Sequence, residues 1–322
     1  MGAIRLALIS TDDLDRMLAC PICGSRLARD GAGWRCAAVP GGVAHSFVTV
    51  HGQPVLVDFE HSVLDRVTIL NSGGTSLVPR RREARRWVKP ILEALGSGSS
   101  APVAGRVLAA LRARVSRPTI LVVGGATVAG DSRVLYDDPD IRLVSFDIYA
   151  SPQTQFVADA HAIPLLDSKV DAVWVQAVLE HVLDPAGVVA EIHRVLRPDG
   201  VVFSEIPFMQ QVHEGAYDFT RFTDLGQRWL FRGFDEIESG VIAGPGVALA
   251  WALDHWVRGV TRSRSAGRLV AIACSWMGWL ERAIPERFAR DSASCLYFVG
   301  RRSERAITPR ELIARYRGAQ GH

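Results

Sequence analysis

Residues 119–130 read TILVVGGATVAG, an apolar run closed by small residues, and residues 141–147 read IRLVSFD, a second run that ends on a carboxylate. QFVAD at 155–159, VDAVWVQ at 170–176 and GVVFSEI at 200–206 add three more strand-like runs, and residues 185–196 read as a helix between the last two. Such alternation implies an α/β fold, a mostly parallel sheet with helices on both faces. The runs lack strict in-and-out alternation, as expected where both faces of a strand are covered. Ligands of such sheets bind at the carboxyl ends of the strands, so the chemistry is sought in the residues that follow each run.

After the first run, Gly124, Gly125 and Ala126 are small enough to let the backbone approach a ligand and to expose amides near a helix start. Asp147 ends the second run about 20 residues on, where a carboxylate can accept from a ribose diol. Up to this point a nicotinamide enzyme explains the residues equally well. Asp159 and Ala160 follow the third run, and Gln176 closes the fourth. For Asp159 the competing role is a helix N-cap. Glu180 and His181 follow the fourth run and can reach the cleft, although a helix-start acid and a satisfied histidine are equally economical.

From about residue 119 to 208 these segments resemble the class I S-adenosylmethionine (SAM) dependent methyltransferase domain almost segment for segment, including VDAVWVQAVLEHVLDP and EIHRVLRPDGVVFSEIPF. The resemblance implies a Rossmann-like sheet, SAM as cofactor, a ribose-binding role for Asp147 and an adenine-binding role for Asp159. It also implies that the last strand, within residues 294–302, returns antiparallel. The family usually carries an acid just before its first glycine, where Val122 stands here, and a fuller glycine series.

Near the N-terminus, Cys20-Pro-Ile-Cys23-Gly24 has knuckle spacing, in which two thiolates converge on one metal and glycine permits the tight turn. Cys36 supplies a third ligand and His45 the fourth, with His51 in reserve; the competing reading is three unligated cysteines. A segment this small lacks enough core without a staple. The run resembles the short zinc ribbons that precede or partner many methyltransferases, including the Trm112-like type. It is also similar to the N-terminal module of ribosomal RNA guanine methyltransferases, although the Cys36 to His45 gap is longer here. Zinc in such modules is structural.

After the fifth run come Pro207-Phe208, then His213, Asp218 and Arg221, polar groups where a plain connection would suffice. Substrate is expected here, with His213 as base on intrinsic pKa. The alternative is that Asp218 and Arg221 pair to brace the loop. Residues 247–283 hold Trp251, Trp256, Trp276 and Trp279 and read as two helices. Packing or a lid is favoured over membrane-surface contact, because Asp254, Arg258 and Glu281 break the apolar runs.

The net charge of +3 over 322 residues does not favour nucleic acid. The N-terminus lacks the apolar run of a signal peptide, the longest apolar segment (269–280) is too short to span a membrane, and the cysteine usage fits a reducing cytoplasm. The expected units are a zinc-ribbon module at 1–60, a basic linker and helix at 61–116, a methyltransferase domain at 117–302 with a helical insertion at 245–285, and a tail at 303–322. The linker includes the arginine-rich residues 79–87 and a flexible spacer at 96–102. The leading function is methylation of a small-molecule or glycan acceptor. RNA or protein methylation, with recruitment through the ribbon and linker, is the alternative, and a SAM-binding scaffold without catalysis is a third.

Overall fold

A computed structural model describes residues 7–37, 42–71, 98–128, 131–274 and 276–320. The arginine-rich run at 79–87, the start of the spacer at 96–97 and Gly130 lie outside the described residues. The strands, in chain order, are β1 Leu27–Asp30, β2 Gly33–Cys36, β3 Ser46–Phe47, β4 Thr49–Val50, β5 Gln53–Leu56 and β6 Thr119–Val123. They continue as β7 Arg142–Asp147, β8 Phe156–Ala158, β9 Val170–Gln176, β10 Leu196–Pro207, β11 Phe234–Ala243 and β12 Cys295–Arg302. Nine of them form one sheet in the order β11-β12-β10-β9-β6-β7-β8-β5-β4.

Strands β10, β9, β6, β7, β8 and β5 run parallel, and β12 lies antiparallel to both β10 and β11. The mostly parallel sheet with an antiparallel last strand is therefore as expected. Side chains alternate across it with the period of two that a strand imposes. Leu121, Val123, Val144 and Phe146 enter one core with Val188, Ile192 and Val195 of the Pro185–Val195 helix. Ile120, Val122 and Leu143 face the other way, onto Val103, Val107, Leu108 and Leu111 of the Ala101–Arg112 helix. The first of these helices starts where Asp184 accepts from the Gly187 amide at 3.0 Å with Pro185 in the first turn, so a cap and a pre-set φ fix its origin.

The N-terminal segment is built into this sheet. Strand β5 pairs with β8 through Val55–Val157 and Leu56–Ala158, and the Ile9 amide donates to Leu143 at 2.9 Å. Leu14, Leu18, Leu27 and Trp34 join the same core as Phe146 and Phe156. The ribbon sheet β1-β2-β3 thus shares a core with the main sheet, and the pairing of β5 covers the edge that β8 would otherwise expose.

Between β11 and β12 stand the helices Pro245–Thr261 and Arg264–Ala273, joined through Arg262 in the left-handed region at φ 53°. A Cβ at Gly267 would lie 2.7 Å from the Asp254 carbonyl oxygen, so glycine is what lets the two helices close. Glu281 accepts from the Gly244 and Val247 amides at 3.0 and 2.8 Å, placing a carboxylate on the positive end of the first helix. No helix among the described residues is long and apolar enough to cross a membrane.

Candidate active site

The carboxyl ends of β6 to β10 gather the residues singled out from the sequence. Gly124 turns at φ +77°, and a Cβ there would meet Val178 Cγ2 at 2.5 Å, so the turn after β9 lies directly on the turn after β6. The amides do not point outward as expected. Gly124 and Gly125 both donate to the Phe146 carbonyl, at 3.1 and 3.0 Å, and Ala126 donates to Asp147 Oδ2 at 2.9 Å. Among the described residues one helical turn, Arg133–Tyr136, follows before β7, and Gly125 is small because Ser145 and the Tyr136 hydroxyl occupy the space beside it.

Asp147 ends β7 half-buried, and its Oδ1 accepts from the Ile148 amide at 2.7 Å. Asp159 is an N-cap: it accepts from the His161 amide at 3.0 Å and lies 2.6 Å from His161 Nδ1. Its second oxygen accepts from the Ser62 hydroxyl. Burial alone would raise its pKa, but these hydrogen bonds outweigh that and hold it low. Ala160 is buried in the short helical turn that follows. Gln176 donates to Ser100 Oγ at 3.1 Å and to Glu205 at 2.9 Å, and accepts from the Trp174 indole at 3.2 Å.

Beyond β9 the backbone passes through Ala177 at φ +53°, a left-handed conformation costly for a residue with a Cβ. It delivers Glu180 and His181 to the sheet end. Residues 208–223 return over them, held where the Phe219 amide donates to the Glu180 carbonyl at 2.8 Å. His213 Nδ1 lies 3.3 Å from Asp218, and its Nε2 lies 3.9 Å from Glu180. Arg221 donates to both oxygens of Asp218 and to the Gln210 carbonyl, so that pair does brace the loop. Asp218 also accepts from the His213 backbone amide at 2.9 Å.

The electrostatics separate these carboxyls. Burial would raise Asp218, but the Arg221 guanidinium and the His213 amide outweigh it and hold the group at about 2. Glu180 is 1% exposed, and burial pushes it up to about 8. Desolvation also lowers the pKa of His181 and His213 below the usual imidazole value. Glu205 is half-buried, and desolvation pushes it up to about 7. Sequence reading assigned Glu205 and Ser62 no role, because neither stands in a recognisable spacing, and it left Glu180 open because burial cannot be read from residue type. A cavity of about 560 Å³ beside Glu238, Ser239, Arg290 and Arg317 lies elsewhere and includes none of the candidate residues.

At the N-terminus, Cys20, Cys23, Cys36 and His45 bring four donor atoms within 4.8 Å of one another. Cys23 and Cys36 Sγ are 3.7 Å apart, and His45 Nδ1 is 3.5 Å from both Cys20 and Cys36 Sγ. Tetrahedral zinc with its usual bond lengths separates two sulfurs by about 3.8 Å and a sulfur from a nitrogen by about 3.6 Å. The donor set therefore fits structural zinc. Gly24 at φ +70° makes the knuckle turn, while His51 sits at φ 51° in the β4–β5 turn, apart from the cluster.

A family model described as a methyltransferase domain matches residues 133–204, from the one-turn helix through most of β10. No curated protein matches the chain significantly in sequence. Among solved structures, 1,6-didemethyltoxoflavin-N1-methyltransferase from Burkholderia thailandensis is 13% identical, covering 71% of this chain and 93% of its own, with a TM-score of 0.37. Phosphoethanolamine N-methyltransferase 2 from Haemonchus contortus is 15% identical, covering 62% of this chain and 53% of its own, with a TM-score of 0.38. The Haloferax volcanii complex of the Trm112 methyltransferase activator with a methyltransferase gives 21% identity, 62% and 90% coverage and a TM-score of 0.39.

Proposed function

We propose that the chain is a SAM-dependent methyltransferase that methylates a hydroxyl or amine of a small-molecule or glycan acceptor. The observation that carries this reading is the family match over residues 133–204, which falls on the strands whose ends gather Asp147, Asp159 and the Glu180–His213 cluster. SAM supplies an electrophilic methyl carbon. Asp147 accepts from the ribose, Asp159 and Ala160 meet the adenine, and Gly124 to Ala126, with Gln176 nearby, bound the methionine end. Methyl transfer is an in-line displacement, so the chain's tasks are alignment and removal of the acceptor proton. His213 takes that proton, since its Nδ1 faces the Asp218 carboxylate and leaves Nε2 as the acceptor. The Cys20–Cys23–Cys36–His45 cluster holds structural zinc and takes no part in transfer.

Comparing metabolites of cells with and without the gene identifies the acceptor, and turnover on it tests the site. His213→Ala should lower turnover by about 100-fold while SAM affinity stays within about twofold. Unchanged turnover would reduce His213 to a structural role.

A lipid-linked acceptor at an anionic membrane surface is a second reading of the same activity. It is favoured by the helical pair at 245–273, where Trp256, Val260 and Leu269 are 66%, 68% and 68% exposed. Arg262, Arg264 and Arg268 are exposed among them, and Asp254 is already paired with Arg258 at 3.4 Å. Flotation with phosphatidylglycerol vesicles, lost on Trp256→Ala, supports this reading. Equal recovery with and without vesicles rejects it.

A further inference from the structure

Glu180, His181 and His213 present one ligand atom each, all within 4.8 Å of one another. The outer hydrogen bonds decide what those atoms are. His181 Nδ1 lies 2.7 Å from the Tyr217 carbonyl oxygen, which can only accept, so Nδ1 carries the proton and Nε2 a lone pair. His213 Nδ1 lies 3.3 Å from the Asp218 carboxylate, whose charge favours a proton on that nitrogen. Both Nε2 lone pairs then face Glu180 Oε1, at 3.6 and 3.9 Å. Among the described residues neither Glu180 side-chain oxygen has a hydrogen-bond partner, although the residue is 1% exposed.

Three acceptors converging without a donor repel one another, and a buried carboxylate with no partner is costly. A proton on Glu180 could serve one imidazole and would leave the other facing an acceptor. A cation serves all three. Donor atoms on a first-row divalent ion stand about 3.0 to 3.4 Å apart, so inward shifts of roughly half an ångström complete the shell. A histidine that donates its outer nitrogen to a backbone carbonyl, as His181 does, has the arrangement by which metal ligands are held.

We infer that Glu180, His181 and His213 form a divalent transition-metal site at the carboxyl end of β9, with open positions toward the acceptor. Two imidazoles and one carboxylate suit a first-row ion better than magnesium or calcium, which favour oxygen donors. As a statement about the acceptor this rests on the methyltransferase reading, and it narrows the acceptor to one bearing a hydroxyl that can coordinate. Coordination lowers the hydroxyl pKa and its proton leaves to water. The oxygen lone pair then forms the new O–C bond while the C–S bond breaks, its electron pair staying on sulfur. His213 acts here as a ligand, where the metal-free reading makes it the base.

The test uses zinc-loaded full-length protein titrated with Mn²⁺, since manganese does not prefer thiolate sites. Loss of the free-ion electron paramagnetic resonance signal counts bound ions. The expected result is one Mn²⁺ per chain, with affinity reduced at least about tenfold in Glu180→Gln, His181→Ala and His213→Asn. Thermal transitions and SAM affinity of each variant report whether it is folded. No Mn²⁺ binding by the wild type, or wild-type binding in all three folded variants, overturns the site. Absence of SAM binding with Mn²⁺ binding intact would instead sink the methyltransferase reading alone.

Discussion

The side-chain amide of Gln176, at the end of β9, donates to the half-buried carboxyl of Glu205 on β10 at 2.9 Å. The contact ties two central strands at the level of the cleft, and it leaves an acid in a place where its charge is poorly solvated. Burial pushes Glu205 up to about 7, with Asp131 adding to the shift. A carboxyl whose folded pKa is raised contributes stability that is complete below its ordinary value near 4.5 and is lost as pH rises through about 7. Glu205→Gln removes the loss. Urea unfolding should show the variant about as stable as wild type at pH 4.5 and more stable at pH 8, by on the order of 3 kcal/mol. Parallel pH profiles for the two proteins would mean that Glu205 does not titrate in this range.

Asp159 carries two duties that substitutions separate. Ser62→Ala deletes one hydrogen bond to its carboxylate and should cost about 1 kcal/mol of stability, with SAM affinity unchanged. Asp159→Ala should cost about 2 kcal/mol, because it strips the cap from the His161 turn, and should also weaken SAM. If Asp159→Ala lowers stability alone, the residue is a cap and the adenine contact is made elsewhere.

Because the ribbon shares its core with Val144, Phe146 and Phe156, zinc loss should be felt by the whole chain. Purified protein should carry one zinc, and Cys23→Ser should lower the single thermal transition by an amount equivalent to about 3 kcal/mol or more. A metal-free wild type, or an unchanged transition in the variant, would leave the cysteine cluster without a structural role.

Much of this arrangement was legible in the sequence. The apolar runs at 119–123, 142–147 and 170–176 became β6, β7 and β9 because residues buried on both faces admit few other solutions. The Cys20 to His45 spacing converged as read, since a knuckle turn leaves its thiolates little choice. Pairing of β5 with β8 was not legible: QPVL at 53–56 is short, and its parallel partner lies about a hundred residues away. The inward turn of the Gly124 to Ala126 amides depends on the Phe146 carbonyl, which no local pattern announces. Glu180 reads as an ordinary helix-start acid until the return of residues 208–223 buries it, and the tautomer of His181 follows only from the Tyr217 carbonyl.

SAM binding at the carboxyl ends of β6 and β7 is the most direct property to measure. Isothermal titration of the zinc-loaded chain with SAM should show one site, and Asp147→Ala should weaken it by about 1.5 to 3 kcal/mol, the scale of charge-assisted hydrogen bonds to a ribose. The Asp147 oxygens already accept from Ala126 and Ile148, so the melting temperature of the variant must be recorded beside its affinity. One site, with that loss in a folded variant, is the predicted result. Absence of SAM binding by the wild type, or full affinity in folded Asp147→Ala, would contradict it.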